Sequence, residues 1–144
     1  DLRSFENGVA YDAVFSMERA REIASWPGQK ELICGNHDTD SLTMAELCEI
    51  FDDVYSLKKY KEFWLSHVPI HPAELRGKVN IHGHVHDKTI DDIRYFNTSL
   101  ENTSFKLISL SEIRDIMNQR QEYYETKGLE DFSEAVLRIP VGMK

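Results

Sequence analysis

Apolar residues recur three or four positions apart in two stretches of this chain, which predicts two amphipathic helices. The first covers residues 9–26 and ends before a Pro-Gly pair, a pair that stops helices. The second begins at Ser111, its predicted N-cap. Between them, Ser41 is the predicted N-cap of a shorter helix over residues 42–51.

Short apolar runs between these helices have the length of buried strands. They cover residues 30–34, 54–60, 61–66, 80–82, 94–97 and 105–107. The runs 54–60 and 61–66 predict a hairpin with almost no turn. Strands that alternate with helices predict an α/β fold. The tail from Lys127 is polar, and its 132–139 segment is expected to dock on the domain or to form another helix.

Composition and net charge limit the classes of fold, binding partner and cellular location that fit this chain. The 144 residues are 41% hydrophobic, enough for one domain with a sizeable core. A net charge of −8 argues against broad binding to nucleic acid or to anionic membranes. No signal peptide or membrane-length apolar run occurs, and two cysteines are too few for a disulfide scaffold. These features predict a cytoplasmic protein that does not bind membranes; they say nothing about oligomeric state.

Polar groups follow three of the predicted strands. They are Gly35-Asn36-His37-Asp38, Ser66-His67-Val68-Pro69 and His82-Gly83-His84-Val85-His86. Strands that end in tight turns deliver such side chains to one edge of a sheet. Imidazole and oxygen ligands suit Mn, Fe, Ni or Zn, so the pattern predicts a metal centre.

The histidines differ in their predicted roles. His84 and His86 are two positions apart and are expected to share one face of an extended segment, where Gly83 lets the backbone approach an ion. His82 would point away from them and is interpreted either as a residue that supports the ligands from behind or as a structural one. His71 is either an ordinary loop residue or a substrate contact.

The polar groups also resemble a known family. Gly35 to Asp38, then His67, then Gly83 to His86 are similar to the last three motifs of the calcineurin-like metallophosphoesterases. That family's pattern is Asp-x-His, Gly-Asp, Gly-Asn-His-Asp/Glu, His and Gly-His-x-His. The resemblance covers residues 1–113 and is nearest to the small enzymes of phages and bacteria. It implies a phosphoesterase domain over 1–113, with residues 114–144 forming a C-terminal helix and tail packed on it.

The resemblance implies a sandwich of mixed β-sheets flanked by helices, with two divalent ions at one edge. Manganese is expected, with Fe, Ni or Zn as alternatives. The residues implied for the first ion are Asn36, His67 and His84; His86 would bind the second ion, and Asp1 would bridge the two.

Two further residues of the Gly-Asn-His-Asp motif have implied catalytic roles. His37 would be the general acid for the leaving group, or a positive charge on the phosphoryl oxygens. Asp38 would orient the His37 ring, cap the following helix, or do both. Outside the motifs, Arg76 is expected either to contact a phosphate or base or to be a solvated loop arginine.

The sequence also departs from the family. Neither Asp-x-His nor Gly-Asp occurs in the 144 residues. Asp1-Leu2 is interpreted as the end of a Gly-Asp-Leu motif, so that a first βαβ unit is missing; the alternative is an ordinary terminal aspartate.

The expected function is metal-dependent hydrolysis of phosphate mono- or diesters, with a nucleotide or nucleic-acid-derived substrate. The alternative is a catalytically impaired interaction protein on the same fold. A structural zinc module is disfavoured because no cysteine pair has finger spacing.

Overall fold

Three α-helices and six strands lie within residues 17–127, the part of the chain that this computed structural model describes. In chain order they are α1 (Met17–Ala24), β1 (Glu31–Ile33), α2 (Met44–Ile50), β2 (Asp53–Tyr55), β3 (Leu57–Tyr60), β4 (Phe63–Ser66), a 3₁₀ turn (Pro72–Glu74), β5 (Val79–His82), β6 (Tyr95–Asn97) and α3 (Leu110–Thr126). The predicted α/β class is confirmed. Asp1, the 132–139 segment and the first half of the predicted 9–26 helix lie outside the described residues, and the domain division stays a prediction.

The strands form two sheets. In the smaller sheet β1 and β2 are parallel, with Glu31 opposite Asp53. The larger sheet has the order β3-β4-β5-β6, in which β3 is antiparallel to β4 while β4, β5 and β6 are parallel. Because parallel strands end at the same edge, the residues after β4, β5 and β6 lie next to one another.

Each sheet has its own apolar core. Helices α1 and α2 pack on the smaller sheet through a buried cluster that includes Ala20, Leu32 and Leu47. Helix α3 packs on the larger sheet, where Ile113 meets Phe63 and Phe96. Each helix therefore packs apolar residues against its sheet, as expected of an amphipathic helix.

Two strand predictions are wrong in part. Residues 54–60 are not one strand, because the chain leaves the smaller sheet after Tyr55 and joins the larger one at Leu57. The hairpin is confirmed for β3 and β4, whose connection is Lys61-Glu62. Residues 105–107 form no strand; Phe105 has a φ of 57°, and its N–H bonds to the Leu100 carbonyl at 2.8 Å within a turn.

Both helix caps lie two residues from their predicted places. Thr43, not Ser41, caps α2, and Ser109, not Ser111, caps α3. In each case the carboxylate of a glutamate three residues later accepts a hydrogen bond from the backbone N–H of the cap residue. Ser41 and Ser111 have Met44 and Arg114 at that position, which cannot complete a capping box.

No helix within residues 17–127 is both long and apolar enough to span a membrane.

The position of the α3 cap can be tested by removing one hydroxyl at a time. We expect Ser109→Ala to lower the free energy of unfolding by about 1 kcal/mol, because the N–H of Glu112 loses its acceptor. Ser111→Ala is the matched control and is expected to change stability by less than about 0.5 kcal/mol. Urea denaturation of both variants measures the difference, and a larger loss for Ser111→Ala would contradict the assignment.

The same cap should depend on pH. The side-chain and backbone hydrogen bonds of Ser109 lower the pKa of Glu112. A carboxyl whose pKa is lower in the folded than in the unfolded state stabilises the fold, and the full stabilisation is present above the unfolded-state pKa. The stabilisation is lost as the pH falls through the folded-state pKa. The stability difference between the wild type and Ser109→Ala should therefore shrink in acid.

Candidate metal centre

Three donor atoms from three separate loops converge at one point. The Oδ1 of Asn36 lies 2.6 Å from His67 Nε2 and 3.1 Å from His84 Nδ1, and the two nitrogens are 3.0 Å apart. Neighbouring ligands of a six-coordinate ion with bonds of about 2.1 Å are themselves about 3 Å apart. Because donor lone pairs at this spacing repel one another unless a proton or cation lies among them, the cluster has the dimensions and chemistry of one face of a metal site. We call it the Asn36–His67–His84 triangle.

One of the three donor atoms in the triangle belongs to an amide side chain, so a search for His, Cys, Asp and Glu ligands alone would miss the cluster. Within residues 17–127 no three His, Cys, Asp or Glu side chains converge on one point. The converging set has only two imidazoles, and its third donor is the Asn36 carbonyl oxygen. Imidazole nitrogen with amide oxygen suits the divalent transition metals that the sequence predicted.

Asn36 is held by a tight turn directly after β1. The buried carboxylate of Asp38 accepts a hydrogen bond from the Gly35 N–H at 2.8 Å, and the Asp38 N–H bonds back to the Gly35 carbonyl at 3.3 Å. Asp38 therefore shapes the loop that carries Asn36. The suggestion that Asp38 caps the following helix is wrong, because Thr43 is that cap.

The carboxylate in contact with His37 is one that sequence reasoning missed. Asp40 Oδ2 lies 2.7 Å from His37 Nδ1, and both side chains are partly exposed. Asp38 thus contacts the backbone of the turn, and Asp40 contacts the His37 ring. Orientation of the His37 ring by Asp38 stays a prediction. Asp40 could have been found from its spacing, because it lies three residues after His37 in a turn. Attention went instead to Asp38, which is adjacent to His37 in sequence.

A close approach at Gly35 positions His67, which is buried after β4. A Cβ atom at Gly35 would lie 2.9 Å from His67 Nδ1 and 3.2 Å from Cγ, both too close for unstrained packing. At Gly83 the nearest atom to such a Cβ would be Ser99 Oγ at 3.7 Å, an ordinary contact. Gly35 therefore leaves the space that the His67 ring occupies. The predicted approach of the Gly83 backbone to an ion stays a prediction.

His84 and His86 do not share the face of an extended segment, and that prediction is wrong. Strand β5 ends at His82, and both histidines have positive φ angles, 67° and 53°. The chain turns at each of them, so their rings separate. His84 joins the triangle, whereas His86 Nδ1 lies 3.0 Å from Glu101 Oε1. Positive φ is costly for residues other than glycine and persists where surrounding contacts enforce it.

Those contacts come from the residues after β6. The side-chain amide of Asn97 donates to the carbonyls of His86 at 2.8 Å and Lys88 at 2.9 Å, and the amide of Asn102 also donates to His86. The Thr98 N–H bonds to the His82 carbonyl at 2.8 Å. Residues 97–102, which we call the 97–102 segment, thus hold the histidine loop at both ends.

His82 is structural, in agreement with its predicted role. It is 2% exposed, and its Nδ1 lies 2.9 Å from the Gly83 carbonyl. Burial lowers its pKa and outweighs the opposing effect of that hydrogen bond. Its Nε2 has no hydrogen-bond partner among the residues described.

The two predicted substrate contacts, His71 and Arg76, make local contacts within their own loop. His71 is exposed and accepts the Ala73 N–H at 3.2 Å as the cap of the 3₁₀ turn. Arg76 is exposed and pairs with Glu74 at 3.0 Å. These local contacts favour the loop alternatives, and substrate contact by either residue stays a prediction.

A cleft of about 370 Å³ opens beside the triangle. Asn36 and His67 line it together with apolar residues that include Leu57, Val68 and Ile70. The cleft gives a small ligand access to the donor atoms with an apolar wall alongside.

Compared with models of known protein families, with curated proteins and with solved structures, the chain matches none. The family resemblance thus depends on the motifs alone.

Loss of a triangle ligand should remove an ion. We expect His84→Ala to weaken Mn²⁺ binding at least about 100-fold, since ligands matter more than the groups that orient them. His37→Ala is the control; it alters a neighbouring loop histidine outside the triangle and should keep the ion. Calorimetric titration with Mn²⁺ measures both, and wild-type affinity in His84→Ala would refute the triangle as a metal site.

Gly35→Ala and Gly83→Ala form a second matched pair. The first should displace the His67 ring and lower Mn²⁺ affinity by about tenfold or more. The second adds the same methyl group where there is space, and should bind like the wild type. The reverse order of affinities would show that Gly83, not Gly35, makes room for the centre.

Proposed function

We propose that this protein is a metal-dependent phosphoesterase of the calcineurin-like metallophosphoesterase type, with a sandwich of mixed sheets as its scaffold. The supporting observation is the Asn36–His67–His84 triangle. Its members are 17 to 48 positions apart in sequence, and they are the three residues that the motif resemblance assigned to one ion. The substrate is a phosphate mono- or diester derived from a nucleotide or nucleic acid.

The donor set favours Mn, with Fe, Ni or Zn as alternatives. The triangle would hold one ion, His86 would contribute to a second, and Asp1 would bridge them. Cations bound there would lower the pKa of a water ligand and neutralise charge on the phosphoryl oxygens. Because the chain has a net charge of −8, attraction of an anionic substrate depends on this local positive charge.

His37 would act on the leaving group. It lies between Asn36 and Asp38 in the turn after β1, and Asp40 holds its Nδ1 at 2.7 Å. A carboxylate at one ring nitrogen fixes the ring orientation, so Nε2 is the nitrogen that would donate a proton to the departing oxygen. The apolar wall of the cleft would lie against the uncharged part of the ester.

One observation favours the alternative of a catalytically impaired interaction protein. Asp-x-His, which supplies ligands of the second ion in the family, does not occur in the 144 residues. A protein with only the triangle would bind one ion and turn over slowly. Release of nitrophenol from bis-p-nitrophenyl phosphate in the presence of Mn²⁺ separates the two, since the impaired protein would bind Mn²⁺ without hydrolysis.

The role of His37 gives a prediction about rate. His37→Ala should lower hydrolysis of this ester by about 10²–10⁴-fold, the usual range for an acid–base group, while Mn²⁺ stays bound. Asn118→Ala, on the exposed side of α3, is the control and should leave the rate unchanged. Loss of Mn²⁺ together with activity in His37→Ala would make His37 a ligand and would refute the assignment.

A further inference from the structure

The histidine loop is held by two separate sets of contacts. One set acts on its backbone: amides of Asn97 and Asn102 bond to the His86 carbonyl, and Thr98 bonds to the His82 carbonyl. The other acts on a ring, and consists of the Glu101 contact to His86. The backbone contacts act on the path of the loop, whereas the Glu101 carboxylate acts on the orientation of the His86 ring.

The contact determines which ring nitrogen of His86 carries a proton. An ionised carboxylate only accepts hydrogen bonds. With Glu101 Oε1 at 3.0 Å from Nδ1, the proton of a neutral ring must lie on Nδ1, and the lone pair is then on Nε2. Metal-binding histidines commonly donate their second N–H to a carboxylate in this way, which fixes the tautomer and the ring orientation.

His84 has the opposite arrangement. Its Nδ1 is the atom in the triangle, 3.0 Å from His67 Nε2, so an ion bound there would take the Nδ1 lone pair of His84. Two histidines that are two residues apart would thus use different nitrogens. Among residues 17–127, the side chain of Glu101 contacts the His86 ring at Nδ1, the nitrogen that His84 turns to the triangle.

We propose that Glu101 is a positioning residue that holds His86 in the Nδ1–H tautomer and so presents Nε2 to a divalent cation. The inference deepens the proposed function and depends on it, because His86 must be a ligand for the positioning to matter. The pair itself is partly exposed, with side-chain exposures of 50% for His86 and 27% for Glu101. A pair of this kind adds little to stability, so its value lies in orientation.

The test uses the tautomer as a readout that a merely structural role would not change. At 16.7 kDa the protein is accessible to NMR, and the ring nitrogens of His86 report their protonation directly. In the metal-free wild type at fixed pH we expect the Nδ1–H form. In Glu101→Ala and Glu101→Gln we expect a shift towards the Nε2–H form. Glu62→Gln is the control, because Glu62 pairs with Arg114 and not with a histidine.

Titration with Zn²⁺ completes the experiment. In the wild type the ring signals of His67, His84 and His86 should all shift. In both Glu101 variants the Zn²⁺ concentration that shifts His86 should rise about 10–100-fold, while the response of His67 and His84 stays unchanged. Backbone spectra of the variants verify that the fold is intact.

The outcomes separate the two proposals. If Zn²⁺ shifts none of the three rings, the metal centre and the proposed function fail, and the inference fails with them. If His67 and His84 respond but His86 does not, or if the Glu101 variants match the wild type in tautomer and Zn²⁺ response, only the role of Glu101 is overturned.

Discussion

The parallel pairing of β4, β5 and β6 is the constraint on which the site depends. Asn80 lies at the middle of this arrangement, opposite Trp64 on one side and Tyr95 on the other, and is fully buried. Its side chain donates to the Trp64 carbonyl at 3.1 Å and accepts the Ile70 N–H at 2.9 Å. A buried amide that satisfies its hydrogen bonds only in this register would oppose any slip of β5. Were β5 to slip by one residue, His84 would no longer reach His67.

Given that register, the loops provide the chemistry. The strands end within one residue of each functional loop, and each loop is shaped by a specific contact: Asp38 on the Gly35 N–H, the Gly35 surface on the His67 ring, and Asn97 on the His86 carbonyl. Burying a polar side chain without a hydrogen-bond partner costs free energy. Here the buried polar side chains bond to backbone groups and so stabilise turns of unusual geometry. Rigid strands with loops shaped in this way are typical of sites that must place several donors within a few tenths of an ångström.

Sequence reasoning predicted the parts of the structure that follow from local pattern. Apolar runs predicted most of the strands, and the polar groups after them predicted a convergence of side chains, because the ends of neighbouring strands must meet. The choice of Asn36, His67 and His84 among those side chains came from the motif resemblance. It failed where a contact depends on residues distant in sequence or on a backbone angle. The positive φ of His84 and His86 has no signature in Gly-His-x-His, and Glu101 is adjacent to His86 only because β5 and β6 are paired. The caps could have been found from the sequence, since Glu46 and Glu112 mark them.

The two apolar cores have a consequence for how the molecule responds to an ion. Asn36 belongs to the smaller sheet and its helices, whereas His67 and His84 belong to the larger sheet. An ion in the triangle would therefore be bound by residues of both sheets, and would link the two apolar cores. A ligand that binds only the folded state raises the free energy of unfolding, by an amount that grows with the logarithm of the ligand concentration. Here an ion would mainly stabilise the contact between the two sheets. Metal content would then affect whether the two cores unfold together or one after the other.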